Sequence, residues 1–157
     1  MNESAAEIQI RRMAAADLAR VMEIAASLPD APHWPQSDYE RALNPEWTPR
    51  RIALAAAEQE SGVQGFTVAR MVPPQAELET ITVAAGCQRR GMGRRLFHAL
   101  AGELRSAGVH ELLLEVRASN RAAQEFYRAL GFVETGRRTG YYADPVEDAV
   151  LMGRKIR

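Results

Sequence analysis

The run ELLLEV, residues 111–116, constrains the fold more than any other stretch of the chain. Strand alternation puts Leu112, Leu114 and Val116 on one face and Leu113 and Glu115 on the other. A strand that is apolar on both faces needs cover on both faces, as an inner strand of a layered α/β sheet has. The segment before it supplies one cover. From Gly91 to Ala107, Leu96, Leu100 and Leu104 fall at i, i+4 and i+8, with Phe97 and Ala101 beside them, which is an amphipathic helix. Gly108 follows where a left-handed helix cap belongs.

The remaining elements fall around this pair. Ile8–Met13 alternates as a short strand, and Asp17–Leu28 carries Leu18, Val21, Met22 and Ala25 at helical spacing until Pro29 stops it. Residues 29–36 hold three prolines and are irregular. Ser37 and Glu40 form a capping-box pattern for a second short helix that ends at Asn44-Pro45. Arg51–Glu58, Val63–Val72 and Ala76–Val83 read as strands separated by Ser61-Gly62 and Pro73-Pro74. Asn120 caps a helix bearing Ala123, Phe126, Tyr127 and Leu130, with Gly131 at its end. Phe132–Arg138 and Asp148–Ile156 close the chain as strands across a Tyr141–Glu147 loop. The order predicts one mixed α/β layer structure over residues 1–157, a single domain.

Composition removes several classes. Twenty basic and twenty acidic residues leave no net charge, so bulk attraction to nucleic acid or to an anionic membrane is not expected. No apolar run approaches a bilayer span, and the start MNESAAEIQI carries acids where a signal peptide carries bases. The single cysteine, Cys87, allows no internal disulfide and suits a reducing compartment, so a cytoplasmic protein is expected. His33, His98 and His110 stand apart from one another with no ligand at metal spacing, and no metal is expected.

The junction CQRRGMGRRL, residues 87–96, carries four arginines and two glycines between a strand and a helix. No acid lies between Glu79 and Glu103. A helix starting near Gly91 turns its unpaired N–H groups and positive dipole end toward the strand terminus, and the arginines add forked donors. That is an anion site. It is neither of two familiar phosphate loops. Met92-Gly93 stands where a nucleotide P-loop needs Lys-Ser/Thr, and Leu96 occupies the position of the third glycine of a dinucleotide fingerprint.

Gln88-Arg89-Arg90-Gly91-Met92-Gly93 resembles the Q/R-x-x-G-x-G/A loop of the GNAT acetyltransferases. The resemblance continues through LLLEVRASNRAAQEFYRALGFVETGRRTGYY and EDAVLM, and within the superfamily is similar to the RimI-type N-acetyltransferases. It is dense from about Ala76 to Met152 and thinner before, where HWPQSDYERAL resembles the family's substrate-side helices; residues 44–51, NPEWTPRR, match no family motif. The resemblance implies a single-domain GNAT fold, a mixed, mostly antiparallel central sheet with helices on both faces. It implies acetyl-CoA as cosubstrate and a protein N-terminus as acceptor, the N-terminal alanine of a small-subunit ribosomal protein.

It also implies roles. Arg89, Arg90, Gly91, Met92, Gly93 and Arg94 would hold the coenzyme pyrophosphate. Ile81, Thr82 and Val83, on a strand that splays from its neighbour, would hold the pantetheine arm by main chain, with an N–H near Ile81–Thr82 as oxyanion donor. Asn120 would lie against the coenzyme as well as cap its helix. Glu115 matches the family's proton acceptor, and Tyr127 the hydroxyl that faces the coenzyme sulfur. Read from the residues alone, a carboxylate in so apolar a run is either paired, with Arg117 the nearest partner, or holds its proton unusually tightly. Tyr127 alone reads as a core residue packing beside Phe126. Glu79, on the same face as Glu77 and Ile81 by alternation, is a second base candidate. Trp34, Tyr39, Tyr141 and Tyr142 are the expected walls of the acceptor site, between the first two helices and the tyrosine loop.

Two other acceptor classes stay open, a lysine side chain and a small amine or polyamine. A non-catalytic acyl-CoA sensor or an RNA-contacting factor fits less well. A sensor has no need of Glu115 and Tyr127, and the arginines lack the interleaved aromatics that single-strand binders stack on.

Overall fold

The computed structural model describes residues 7–157. The expectation drawn from the amino terminus rests in part on residues 1–6, which lie outside that range. The elements are β1 (Ile8–Arg12), α1 (Leu18–Ala26), α2 (Gln36–Leu43), β2 (Arg51–Glu58), β3 (Gly62–Val72), β4 (Gln75–Val83), α3 (Met92–Ser106), β5 (Glu111–Arg117), α4 (Arg121–Ala129), β6 (Val133–Tyr142) and β7 (Glu147–Lys155). They form one sheet of order β1-β2-β3-β4-β5-β7-β6. Every neighbouring pair is antiparallel except β4 and β5, which are parallel.

Alternation divides the apolar residues between two cores. Leu112, Leu114 and Val116 of β5 join Leu96, Phe97, Leu100 and Leu104 of α3 on one face, with Phe126 and Tyr127 of α4 packed alongside. Ala53, Ala55, Phe66 and Val68 join Val21 and Ile24 of α1 and Tyr39 of α2 on the other. ELLLEV is therefore an inner strand, with β4 on one side and β7 on the other.

Both long-range helices end in the predicted glycine caps. At α3, Gly108 takes φ +84°, its N–H donates to the Arg105 carbonyl, and the Val109 N–H donates to Leu104. At α4, Gly131 takes φ +95°, and the Phe132 N–H donates to the Tyr127 carbonyl. This six-to-one bond is the Schellman arrangement, which brings the residue after the glycine against the one that accepts. Here it sets the Phe132 ring 5.7 Å from the Tyr127 ring.

Four local expectations are corrected. Helix α2 begins one residue before Ser37, on Pro35, and no side chain caps it; Gln36 instead bonds Glu40 one turn on. A proline N-terminal to the first turn loses no hydrogen bond and fixes φ near −65°. Strand β6 runs on to Tyr142, so Tyr141 and Tyr142 are strand residues before a tight turn and not loop residues. Nearly every β6 residue is solvent-exposed, so burial imprints no alternation on that stretch. In β4 the pairing with β3 shifts between Thr80, opposite Val68, and Leu78, opposite Ala69, which leaves Glu79 unpaired in a bulge. Glu77 and Glu79 consequently meet arginines on the α1–α2 face, while Ile81 turns to the α3 face; the three do not share a face. The side chain of Met92 is fully buried, 3.1 Å from where a Cβ on Gly65 would stand, so only its backbone faces the α3 terminus.

The parallel pairing is short. Gln75, Ala76 and Glu77 face Glu111, Leu112 and Leu113, and beyond them β4 and β5 part. Among the described residues no helix is long and apolar enough to cross a membrane.

Candidate functional site

The gap between β4 and β5 organises everything around it. On the α3 side, Gly91 caps the helix at φ +81°, in the left-handed region that glycine adopts without strain, and no side chain satisfies the first-turn N–H groups. A Cβ on Gly91 would meet nothing within 4 Å, so the space before the helix is open. Arg89, Arg90 and Arg94 are exposed around it. Arg95 is drawn away, donating to the Ile8 carbonyl at 2.8 Å. Gly93 serves a different need from Gly91: a Cβ there would lie 3.1 Å from the Phe126 ring, so its absence lets α3 and α4 pack closely.

The strand end and the loop are tied together, since Gln88 Nε2 donates to the Val83 carbonyl at 3.0 Å. Thr82 is buried, its hydroxyl 2.6 Å from that of Thr80. Ile81 and Val83 pack on the α3 core. The main chain of Ile81–Val83 has no β5 partner, because the two strands have already diverged. A helix terminus with no side-chain cap, three exposed guanidinium groups and a strand edge with no β5 partner together fit an extended amide-bearing chain that ends in a pyrophosphate. Among the described residues no three His, Cys, Asp or Glu gather as metal ligands.

Asn120 performs the bland part of its expected role. Its Oδ1 accepts from the Ala123 N–H at 3.1 Å, leaving the amide nitrogen free. Gln124, a residue sequence reading passed over, is buried and donates to the carbonyls of Arg117 and Ala118 at 3.1 and 2.9 Å, fixing the β5–α4 turn. Tyr127 then lies between Phe126, at 5.5 Å, and Phe132. Burial, with a smaller contribution from neighbouring Tyr142, pushes its phenol up to about 12.

On the opposite face Glu115 lines a cleft of 270 Å³ with Arg70, Glu77, Leu113, Arg138 and Leu151. It is paired, as sequence reading allowed, but its partner is Arg138 at 3.7 Å and not Arg117. Arg117 instead meets Glu147 at 3.3 Å and lies 4.3 Å over the Tyr142 ring. Glu147 also accepts the Ser119 N–H, and hydrogen bonds from Ser119, its side chain first and then its N–H, together with Arg117 hold its carboxyl below the usual range. Hydrogen bonding to the Glu115 carboxylate raises the Tyr141 phenol; burial first, then the charge of Glu115, raises that of Tyr142. Tyr142 is thus an electrostatic neighbour of both Glu115 and Tyr127, and Tyr141 of Glu115.

Glu79 occupies a different setting. Arg51 Nε donates to both of its oxygens, at 3.1 and 3.4 Å, and Arg70 lies 4.0 Å away. Burial outweighs these cations and raises its carboxyl. Trp34 and Tyr39 stack at 5.3 Å, but Tyr39 is fully buried in the α1–α2 core and neither lines the Glu115 cleft. The structure brings together Glu115, Tyr127, Tyr141 and Tyr142 and leaves Tyr39 apart. Arg138, Gln124 and Glu147 were not singled out from the sequence. The EDA of residues 147–149 gave the only signal for Glu147, and nothing marked Arg138 among the neighbouring arginines.

Comparison with known proteins identifies the family. The Acetyltransferase (GNAT) family matches residues 18–132. The ribosomal protein bS18-alanine N-acetyltransferase of Escherichia coli is 42% identical over 100 residues, which span 62% of this chain and 68% of that protein. The crystal structure of the ribosomal-protein-S18-alanine N-acetyltransferase from Escherichia coli superposes with a TM-score of 0.82 at 33% identity, covering 96% of this chain and 94% of that one. N-alpha-acetyltransferase RimI of Mycobacterium tuberculosis is 34% identical over 152 residues, 94% of this chain and 92% of that protein. Arabidopsis thaliana NAA60, solved in complex with acetyl-CoA, shares the fold at 18% identity and a TM-score of 0.82, covering 96% of this chain and all of that one. With the family matched across most of its length, the chain belongs to the GNAT acetyltransferases.

Proposed function

We propose that this chain transfers the acetyl group of acetyl-CoA to the N-terminal α-amine of a ribosomal protein, the alanine terminus of bS18, in the cytoplasm. The observation that carries the reading is the position of Glu115. It is the first β5 side chain on the acceptor face beyond the last β4–β5 pair, Glu77 with Leu113, and so stands where the two strands open. The relatives named for bS18 acetylation support the acceptor.

The chain's own residues divide the work. The α3 terminus with Arg89, Arg90 and Arg94 binds the pyrophosphate. The unpartnered edge of Ile81–Val83 takes the pantetheine amides as a neighbouring strand would, and an N–H near Ile81–Thr82 meets the carbonyl oxygen as negative charge grows on it. Glu115, from the other face, accepts the proton of the attacking amine, directly or through one water. Glu79 is the less available candidate because Arg51 donates to its carboxylate and Arg70 lies beside it.

Tyr127 acts as the acid toward the departing sulfur. A thiol loses its proton near pH 8.5, several units below a phenol at about 12. Full proton transfer from Tyr127 is therefore uphill. Its main contribution is a hydrogen bond to the developing thiolate, which leaves as CoA–S⁻ and takes its proton from solvent, while the amine proton passes to Glu115. Freeing an α-amine of its proton at pH 7 costs about 1.1 kcal/mol against about 4.6 for a lysine, so a single carboxylate suits the α-amine.

Steady-state kinetics tests the acceptor. A peptide beginning with the bS18 sequence should turn over with acetyl-CoA, and the same peptide blocked at its terminus but carrying a lysine should not. Equal turnover of the blocked peptide would replace the α-amine reading with a side-chain one.

A further inference from the structure

Arg138 has no part in the chemistry described so far, yet among the described residues it is the one cation in ion-pair contact with Glu115. It stands on β6, a strand whose residues are nearly all solvent-exposed, so no core packing requires an arginine there. Its Nε is 3.7 Å from Glu115 Oε1, and its guanidinium lies 5.5 Å from the centre of the Tyr141 ring, which stacks on it.

The other groups around Glu115 do not duplicate this contact. Tyr141 and Tyr142 approach from β6 as neutral phenols. Glu77 on β4 and Arg70 on β3 line the same cleft but are bound to each other at 2.6 Å. Arg117, next but one on β5, is committed to Glu147 and Tyr142. From β7, Leu151 pairs opposite Glu115 and brings no charge.

We propose that Arg138 is a positioning residue for Glu115: it holds the carboxylate toward the cleft and offsets its charge, so that the site receives a neutral amine and does not capture an ammonium ion. The inference rests on the reading of Glu115 as the base. A bare carboxylate beside the amine would stabilise the ammonium form, which cannot attack. A guanidinium at 3.7 Å offsets part of that attraction while leaving a carboxylate oxygen to take the proton. The Tyr141 ring, 5.5 Å from the guanidinium, gives Arg138 a second contact on the side of the cleft.

The test is the pH dependence of kcat on an α-amine peptide for the wild type, Arg138→Gln and Arg138→Lys, with the KM for acetyl-CoA measured in parallel. Arg138→Gln should lower kcat about tenfold and move the lower limb of the profile up by about half a pH unit, the size expected of a partly exposed ion pair. The KM for acetyl-CoA should not change. Arg138→Lys should return the limb to its wild-type position while recovering only part of kcat, because it keeps the charge and loses the stacked plane. A limb in the same place in Arg138→Gln and wild type overturns the proposal. Glu115→Gln run beside them separates the two claims. A fully active Glu115→Gln removes the base reading itself, whereas an inactive one with an unmoved Arg138→Gln limb removes only the role of Arg138.

Discussion

Glu77 and Leu113 are the last residues at which β4 and β5 pair, and two residues further along β5 stands Glu115. One strand separation thus creates both halves of the site. The β4 edge is left open on one side, and the carboxylate faces the opening from the other.

Replacing Glu115 by glutamine keeps the shape and removes the proton acceptor. Loss of a general base commonly costs 10²–10⁴ in rate, and a fall in kcat of about that size is expected, with acetyl-CoA binding unchanged by calorimetry. A wild-type rate would move the base to Glu79 or to water.

Tyr127→Phe should lower kcat about 10- to 100-fold through loss of one donor to the leaving sulfur. Because Phe fits the same contacts with Phe126 and Phe132, the thermal midpoint should stay close to wild type. Because the phenol of Tyr127 is raised to about 12, the wild-type rate should show no loss from its ionisation up to about pH 10. An alkaline limb that vanishes in Tyr127→Phe would contradict the assignment.

Arg89→Ala with Arg94→Ala removes two guanidinium groups from the open α3 terminus. Each charge-assisted contact contributes about 1.5–3 kcal/mol, so acetyl-CoA affinity should fall at least about 100-fold and lose part of its salt sensitivity. Isothermal titration at two ionic strengths reads both. Unchanged affinity would remove the pyrophosphate role.

Gly93→Ala tests the close packing of α3 on α4. Its Cβ would sit 3.1 Å from the Phe126 ring, tighter than most carbon contacts, so the ring must give by a few tenths of an ångström. The expected cost is about 1–2 kcal/mol, and the displaced ring presses on Tyr127 beside it. The variant should lose both urea stability and kcat, whereas a substitution at exposed Arg90 should lose only coenzyme affinity.

Asp17 anchors the start of α1, far from the site. Arg11 grips both of its oxygens at 2.7 and 2.9 Å, and the Ala14 N–H adds 2.8 Å. The Arg11 bonds hold its carboxyl below its ordinary 3.8. A depressed folded value means stability present above the unfolded value near 3.8 and lost as pH falls through the lower folded one. Asp17→Asn should cost about 2 kcal/mol at pH 7 and little at pH 2 in urea unfolding. An equal cost at both would contradict the charge argument.

Much of this molecule is legible in its sequence because its signals are local. ELLLEV required cover on both faces, and Gly108 and Gly131 marked helix ends that the backbone indeed turns left-handed to make. Glu115, Asn120 and Tyr127 lay within recognisable motifs. What escaped depends on relations between strands. Nothing in QAELETITV announces that Glu79 drops out of register, because the bulge is set by pairing with β3. Arg138 could not be told from Arg137 without knowing that β6 lies beside β7 and reaches Glu115 across it. Tyr39 looked like a site residue because aromatic residues serve walls and cores equally, and only its burial decides.

Ribosomal proteins carrying unmodified termini, incubated with this protein and acetyl-CoA and then analysed by tandem mass spectrometry, decide whether the acceptor is the α-amine of bS18. One acetyl group is expected, localised to the N-terminal alanine of bS18 and lost with Glu115→Gln. Acetylation confined to lysine side chains, with the bS18 terminus left free, would rule the α-amine out.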